Sequence, residues 1–272
     1  MKRVTCSIVF QDLFAIPFLC YMPSSIDSTS WFETWFDTAY YHVLYANRDH
    51  KEAGAFIDRS IEILNLKSKA KVMDLACGKG RHALHLASKG FKVTGLDLSE
   101  NSIAGLRSLN DDSLHFQRWD MRDTYDVTGF DAVFNLFTSF GYFDSMQENL
   151  KVLKAMKAVL NEDGHILIDY LNVKKALAFI GEEDHIERQG LEFHTSKEWV
   201  DGCIVKHIKV TDQDKEFFFK ESVQALTLED FSSLTNEAGL KIQDCYGDYH
   251  LAPYDASRSP RLILHIRKAG NA

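Results

Sequence analysis

The 272-residue sequence predicts an α/β fold on a mostly parallel sheet, and three observations carry the prediction. Short β-rich runs alternate with helical periods between residues 71 and 171. The runs are apolar along their length, as strands covered on both faces must be. One of them ends in a glycine turn that opens a helix, Asp74-Leu75-Ala76-Cys77-Gly78-Lys79-Gly80-Arg81. Strands separated by helices make βαβ units, and the crossover forces parallel pairing.

Residues 1–30 read as an N-terminal extension. Met1-Lys2-Arg3 and the apolar stretch to Cys20 have the outline of a signal peptide, but Gln11 and Asp12 interrupt it and no clear cleavage site follows. The stretch is also too short to span a bilayer, so the expectation is no membrane segment and a functional start at Met22. Residues 31–45 carry seven aromatics, with Trp31/Trp35, Phe32/Phe36 and Tyr41/Tyr45 four apart, which suits one or two helices with an aromatic face. A further helix is expected over 50–65, with Ala53, Phe56, Ile57, Ile61 and Leu64 on one side.

Strands are expected at 71–76, 91–96, 114–118, 131–136 and 165–170, with helices near 80–89, 101–108 and 146–160. After Leu171 the rhythm breaks. Residues 186–224 alternate polar and apolar around Asp201-Gly202 and Asp212-Gln213-Asp214, which reads as an antiparallel meander of two to four strands. A helix at 227–239, opened by Thr227 and closed by Gly239, precedes two last strands at 240–247 and 261–267. The expected organisation is one domain over 31–268, with a helical lid at 31–68 and a β insertion at 172–226.

Lys and Arg number 31 against 39 Asp and Glu, a net charge of −8 with no basic cluster, which disfavours a nucleic-acid partner. The five cysteines are odd in number and form no CxxC, so neither a disulfide framework nor a thiolate zinc site is expected and a reducing cytoplasm fits.

The chemistry sits at successive strand ends. Gly78 and Gly80 let the chain bend and approach a ligand, while N–H groups at the helix start can donate to it. Gly78-x-Gly80-x-x-Ala83 alone fits a dinucleotide fingerprint as well as an ordinary β-turn-α glycine. In Gly95-Leu96-Asp97-Leu98-Ser99, about 20 residues on, the Asp97 carboxylate can accept both hydroxyls of a ribose, or serve at a helix start that Ser99 could cap instead. Trp119-Asp120-Met121-Arg122 ends the third strand. There Asp120 can accept from an exocyclic amine and Met121 can cover a ring face, or the acid can be a surface turn residue.

Taken together, Asp-Leu-Ala-Cys-Gly-Lys-Gly, Gly-Leu-Asp-Leu-Ser and Asp-Met-Arg resemble the class I S-adenosylmethionine-dependent methyltransferases over about residues 37–268. The segment Asn135-Leu136-Phe137-Thr138-Ser139-Phe140-Gly141-Tyr142 resembles small-molecule N-methyltransferases, notably the aminosugar N,N-dimethyltransferase and glycine/sarcosine N-methyltransferase groups. Tyr41-x-x-x-Tyr45-x-x-Arg48-Asp49 and Glu52-Ala53 resemble the lid of the same relatives. The resemblance implies a Rossmann-like sheet of seven strands with an antiparallel last strand, and S-adenosyl-L-methionine as cofactor. It implies a cofactor set of Tyr45, Asp74, Ala76, Gly78, Gly80, Arg81, Asp97, Leu98, Asp120, Met121 and Asn135. Asp97 would hold the ribose, Asp120 and Met121 the adenine, and Ala76, Gly78 and Asn135 the methionine part. Asn/Asp-Pro-Pro-Tyr, which marks methylation of nucleobase or glutamine amines, is replaced by Asn135-Leu136-Phe137-Thr138.

The implied reaction is methyl transfer to a small polar molecule, with nitrogen ahead of oxygen as acceptor. Candidate catalytic residues are Tyr41, Tyr142 and His250, with Asp169, Tyr170 and Tyr249 as further orienters or bases. Cys77, His82 and His85 lack a further ligand at regular spacing, so no metal is expected. A nicotinamide-dependent oxidoreductase and a non-catalytic cofactor-binding regulator are the alternatives, and the chain is expected to be a monomer or homodimer.

Overall fold

The computed structural model describes residues 30–46 and 50–270. The extension before Ser30, with Cys6, Cys20 and Met22, and the Arg48-Asp49 pair lie outside the described residues.

Three helices open the described chain, α1 (Trp31–Trp35), α2 (Ala39–Leu44) and α3 (His50–Ile63). The alternating segment follows: β1 (Lys71–Leu75), α4 (Arg81–Ser88), β2 (Lys92–Asp97), α5 (Glu100–Ala104), β3 (Leu114–Arg118), β4 (Phe130–Asn135), α6 (Met146–Val159) and β5 (Leu160–Leu171). Next come α7 (Val173–Leu177), then β6 (Glu183–Arg188), β7 (Leu191–Val200), β8 (Cys203–Asp212) and β9 (Lys215–Gln224). The described chain closes with α8 (Leu228–Glu237), β10 (Leu240–Tyr246) and β11 (Arg261–Lys268).

Seven strands form one sheet in the order β10-β11-β5-β4-β1-β2-β3. β1 to β5 pair in parallel, and β11 runs antiparallel to both β5 and β10. Val72, Val133, Phe134, Ile166, Leu167 and Ile168 are fully buried, because helices cover both faces. The parallel order reverses between β1 and β4, so ligand-facing groups gather at the carboxyl ends of β1, β2, β3 and β4. The expected seven-strand α/β fold is the fold observed.

The meander is a separate four-strand sheet, β6-β7-β8-β9. Its inner face buries Phe193, Ile208 and Val210 against Trp35 and Leu44, so the aromatic helices pack on this second sheet. Arg188 of β6 donates to the carbonyls of Val43 and Leu44, closing the C-terminal end of α2.

Three details differ from expectation. β5 starts at Leu160, directly from α6: Leu160 pairs with Phe130, and pairing resumes at His165 opposite Ala132, so the polar residues 161–164 between them form a bulge. The β6–β7 turn is Gln189-Gly190, a signal weaker than Asn-Gly, in which Gln189 itself takes φ +53°. The short α7 was not anticipated. Thr227 does cap α8, in a reciprocal pair of hydrogen bonds with Asp230.

Candidate functional site

A cavity of about 310 Å³ opens at the carboxyl ends of the parallel strands, between the seven-strand sheet and the aromatic helices. Its floor is the glycine turn. Cys77 N–H donates to the Leu96 carbonyl (3.0 Å) and Gly80 N–H to the Cys77 carbonyl (2.9 Å), which folds the chain back on itself. Gly78 has φ +53°, and a Cβ built there would meet nothing within 4 Å, so its backbone borders open space. Gly80 has φ +72°, and its Cβ would press on Leu106 and Phe116 at 3.0 Å. Asp74 lies behind this turn, not in the cavity: its carboxylate accepts from Ala83 N–H (3.0 Å) at the start of α4. Burial raises the Asp74 pKa to about 7.

Asp97 faces the cavity from the end of β2. One carboxylate oxygen accepts from Gly78 N–H (2.7 Å) and the other from Ser99 N–H (2.8 Å). Burial raises its pKa while these N–H bonds oppose the shift. Each oxygen keeps a lone pair beyond those bonds, the acceptor pattern a vicinal diol requires. Ser99 is the N-cap of α5, accepting from Ser102 N–H (3.0 Å), which leaves Asp97 available to a ligand. Asp120 and Met121 line the same side with Trp119. Arg122 grips Asp120 through Nε (3.0 Å) and holds Glu148 (2.7 Å), so the acid is fixed in place. Despite partial burial, Arg122 holds the Asp120 carboxyl below its ordinary range.

Opposite stands an aromatic wall. Phe36, Tyr41, Tyr45 and Tyr142 all line the cavity. Their rings meet in sequence, with Tyr142–Phe36 at 5.2 Å, Phe36–Tyr41 at 4.9 Å and Tyr41–Tyr45 at 5.1 Å. Ring faces attract a cation, so such a wall suits a sulfonium or an alkylammonium. The wall is anchored to the second sheet: Tyr45 Oη donates to Glu221 (2.8 Å), and Trp35 Nε1 donates to the same carboxylate (2.8 Å). Asp37, between α1 and α2, accepts from Asn101 N (3.0 Å) and Asn101 Nδ2 (2.6 Å), and so latches the helices beside Asp97.

The third wall is the loop after β4. Phe137 and Thr138 have φ of +61° and +59°, conformations that cost energy without glycine. Fully buried Asp169 at the end of β5 holds them there. Its carboxylate accepts from Phe137 N–H (2.9 Å), Arg261 Nε (2.7 Å) and Tyr249 Oη (3.2 Å), and its carbonyl from Thr138 N–H (2.9 Å). Arg261 also donates to Thr138 Oγ1 (2.8 Å). Burial opposes the Arg261 charge, but Asp169 outweighs it and the pKa rises. Farther along, Gln224 of β9 donates its N–H to the Gly141 carbonyl (2.8 Å) and its side-chain amide to Phe143 O (2.8 Å). The loop is thus fixed by both sheets.

Of the residues expected at the site, Tyr41, Tyr45, Ala76, Gly78, Arg81, Asp97, Leu98, Asp120, Met121 and Tyr142 line this one cavity. Asp74 and Gly80 shape the turn from behind. Asn135 is not at the cavity: it is fully buried and donates to the Leu75 carbonyl (3.0 Å), tying β4 to β1, while its Oδ1 has no protein partner. His250 is not there either; it is exposed in a turn where its N–H donates to Asp248 (2.8 Å). Tyr249 and Tyr170 are raised phenols, mainly through burial, that donate to Asp169 and to the Gln224 carbonyl, so neither is a base. Burial also pushes the Cys77 thiol well up, against a nucleophilic role. His85 pairs with Asp58 (2.8 Å).

Sequence reasoning missed His42. It lines the cavity beside Tyr41, and burial together with the Lys79 charge lowers its pKa to about 4, so the imidazole is neutral at physiological pH. Its place next to Tyr41 in the aromatic run was the available signal. Phe36, Lys79 and Ser139 also join the lining.

An α/β sheet with one antiparallel strand, a glycine turn under an open cavity and an acid at the next strand end define a methyltransferase of class I architecture. Residues 66–237 match the family model described as "Methyltransferase domain", and the chain belongs to that family. It is 25% identical over 221 residues to a glycine/sarcosine N-methyltransferase from Halorhodospira halochloris, covering 77% of this chain and 79% of that one. It is 34% identical over 100 residues to the dTDP-3-amino-3,6-dideoxy-alpha-D-glucopyranose N,N-dimethyltransferase of Streptomyces fradiae, covering 37% and 39%. The sugar N-methyltransferase KedS8 from Streptoalloteichus sp ATCC 53650 superposes with a TM-score of 0.67 at 18% identity, covering 98% and 99%, a likeness of fold. The chain spans about half the length of several curated relatives it matches. No helix among the described residues is long and apolar enough to cross a membrane.

Proposed function

We propose that the protein transfers the methyl group of S-adenosylmethionine to an amine nitrogen of a small polar molecule. The observation that carries this reading is one cavity with two unlike halves: backbone and carboxylate acceptors at the strand ends, and an aromatic wall facing them. The cofactor supplies an electrophilic methyl group on a sulfonium with a good leaving group. Asp97 fits its ribose, Met121 and Asp120 its adenine, and the Gly78 turn with Arg81 its methionine end. The open space over Gly78 supports that fit.

What is left for the chain is to align the acceptor and exclude water. Phe36, Tyr41 and Tyr142 provide ring faces for a cationic centre, while Tyr45, whose ring already lies under the Lys206 ammonium (5.1 Å), braces Tyr41. Neutral His42 can accept a hydrogen bond from an amine N–H and so aim its lone pair. With a pKa near 4, His42 is a weak base for an alcohol, whereas a free amine needs none of that strength. The relatives named as N-methyltransferases support nitrogen over oxygen. The helices of 31–68 and the insertion of 172–226 select the acceptor in this reading.

The test is a methyl-transfer assay with amino sugars, amino acids, simple amines and matched alcohols, read by mass spectrometry. N-methylated product from an amine, with its alcohol analogue inert, is expected. Product from alcohols alone would overturn the nitrogen assignment, and tight cofactor binding with no acceptor consumed would favour a binding protein.

A further inference from the structure

We propose that the outward face of the β6–β7 hairpin is a divalent transition-metal site, with His185, Glu192 and His194 as its ligands. The backbone sets up the convergence. His185 stands directly across from His194 in the antiparallel register, and Glu192 lies two residues before His194 on the same strand face. The two imidazoles stack with centroids 4.3 Å apart and planes at 11°. One ligand atom from each of the three residues lies within 4.8 Å of the others, so side-chain rotations that open the stacked rings bring them onto an ion with bonds of about 2.0–2.2 Å.

All three side chains are exposed, and no hydrogen bond or ion pair to a described residue engages them. Binding an ion therefore breaks no hydrogen bond or ion pair among the described residues and costs only the exposed ring stack. Glu187, opposite Glu192 on the same face, adds a second negative charge nearby. Lys209, opposite His194 on β8, is already paired with Glu216 at 2.6 Å. Two imidazoles and a carboxylate suit Zn²⁺, Ni²⁺ or Cu²⁺ rather than Mg²⁺ or Ca²⁺, with remaining positions left to water.

The position gives the ion a structural effect. β6 is an edge strand paired only with β7, and its Arg188 closes α2, the helix that carries Tyr41 into the cavity. An ion shared by His185 and His194 would clip this edge strand to its neighbour.

Untagged full-length protein, stripped with EDTA and titrated with Zn²⁺ by calorimetry, tests the site. One equivalent is expected to bind, with His185→Ala and His194→Ala each weakening affinity at least about tenfold, the low end of what even an outer-shell loss costs. Glu183→Gln, an acid of the same strand outside the cluster, should leave affinity unchanged. Zn²⁺ should also slow amide exchange across Glu183–Arg188 in the parent and not in the double histidine variant. Absence of binding, or affinity unchanged in the double variant, would overturn the proposal. Circular dichroism in EDTA checks that each variant folds.

Discussion

The two halves of the cavity are built in different ways. The strand-end half uses backbone groups and short-range acids: Gly78 and Asp97 are 19 residues apart and bonded to each other. The aromatic half depends on distant pairs. Glu221 receives Trp35 from 186 residues away and Tyr45 from 176. One half follows from the order of strands in a parallel sheet, and the other exists only once a second sheet has folded against the N-terminal helices. The first can therefore be shared widely, while the second is free to vary with the acceptor.

The loop after β4 joins the halves, and breaking its anchor should have the largest effect. Asp169→Ala leaves the buried Arg261 charge without its partner, and a stability loss of about 3–5 kcal/mol is expected in urea unfolding. Asp169→Asn, which keeps the Phe137 contact, should retain more of the fold. Next, Asp97→Ala should weaken S-adenosylhomocysteine binding about 10- to 100-fold by calorimetry, the loss of one or two hydrogen bonds to a charged group at about 1.5–3 kcal/mol. Acceptor-side contacts do not involve Asp97, so acceptor KM at saturating cofactor should change little.

Glu221→Gln and Tyr45→Phe should do the opposite. Turnover and acceptor KM should worsen by up to about tenfold, in the range of one hydrogen bond of about 1 kcal/mol, with cofactor affinity near the parent value. A loss of cofactor affinity equal to that of Asp97→Ala would erase the distinction between the halves.

The smallest effect concerns pH. A carboxyl whose folded pKa is about 7, above its unfolded value near 4, favours the native state at low pH. That contribution is lost as pH rises from about 4 to about 7 and is constant above. Asp74→Asn, compared with the parent by thermal unfolding across this range, should flatten the decline. Parallel curves would remove the buried-acid account of Asp74.

Much of the strand-end half was legible in the sequence because its determinants are local. A buried strand followed by Gly78-x-Gly80 permits few backbone paths, and Asp97 comes at the next strand end. Asp74 and Asn135 show where this reading stops: both sit at strand ends, but side-chain direction turned one toward α4 and the other toward β1. Residue type suggested His250, yet the turn at Asp248 points that segment to solvent. His42 was hidden for the reverse reason, since its neutral state arises from burial and from Lys79, which no local pattern reveals. The Asp169–Arg261 anchor spans 92 residues and could be named only as a candidate acid.

The central claim is that cofactor and acceptor occupy the two unlike halves of one cavity. A crystal structure with S-adenosylhomocysteine bound tests it most directly. The account predicts ribose hydroxyls on Asp97, adenine beside Met121 and the sulfur facing the Phe36, Tyr41 and Tyr142 rings. A ligand whose ribose lies away from Asp97, or whose sulfur faces away from those rings, would contradict it.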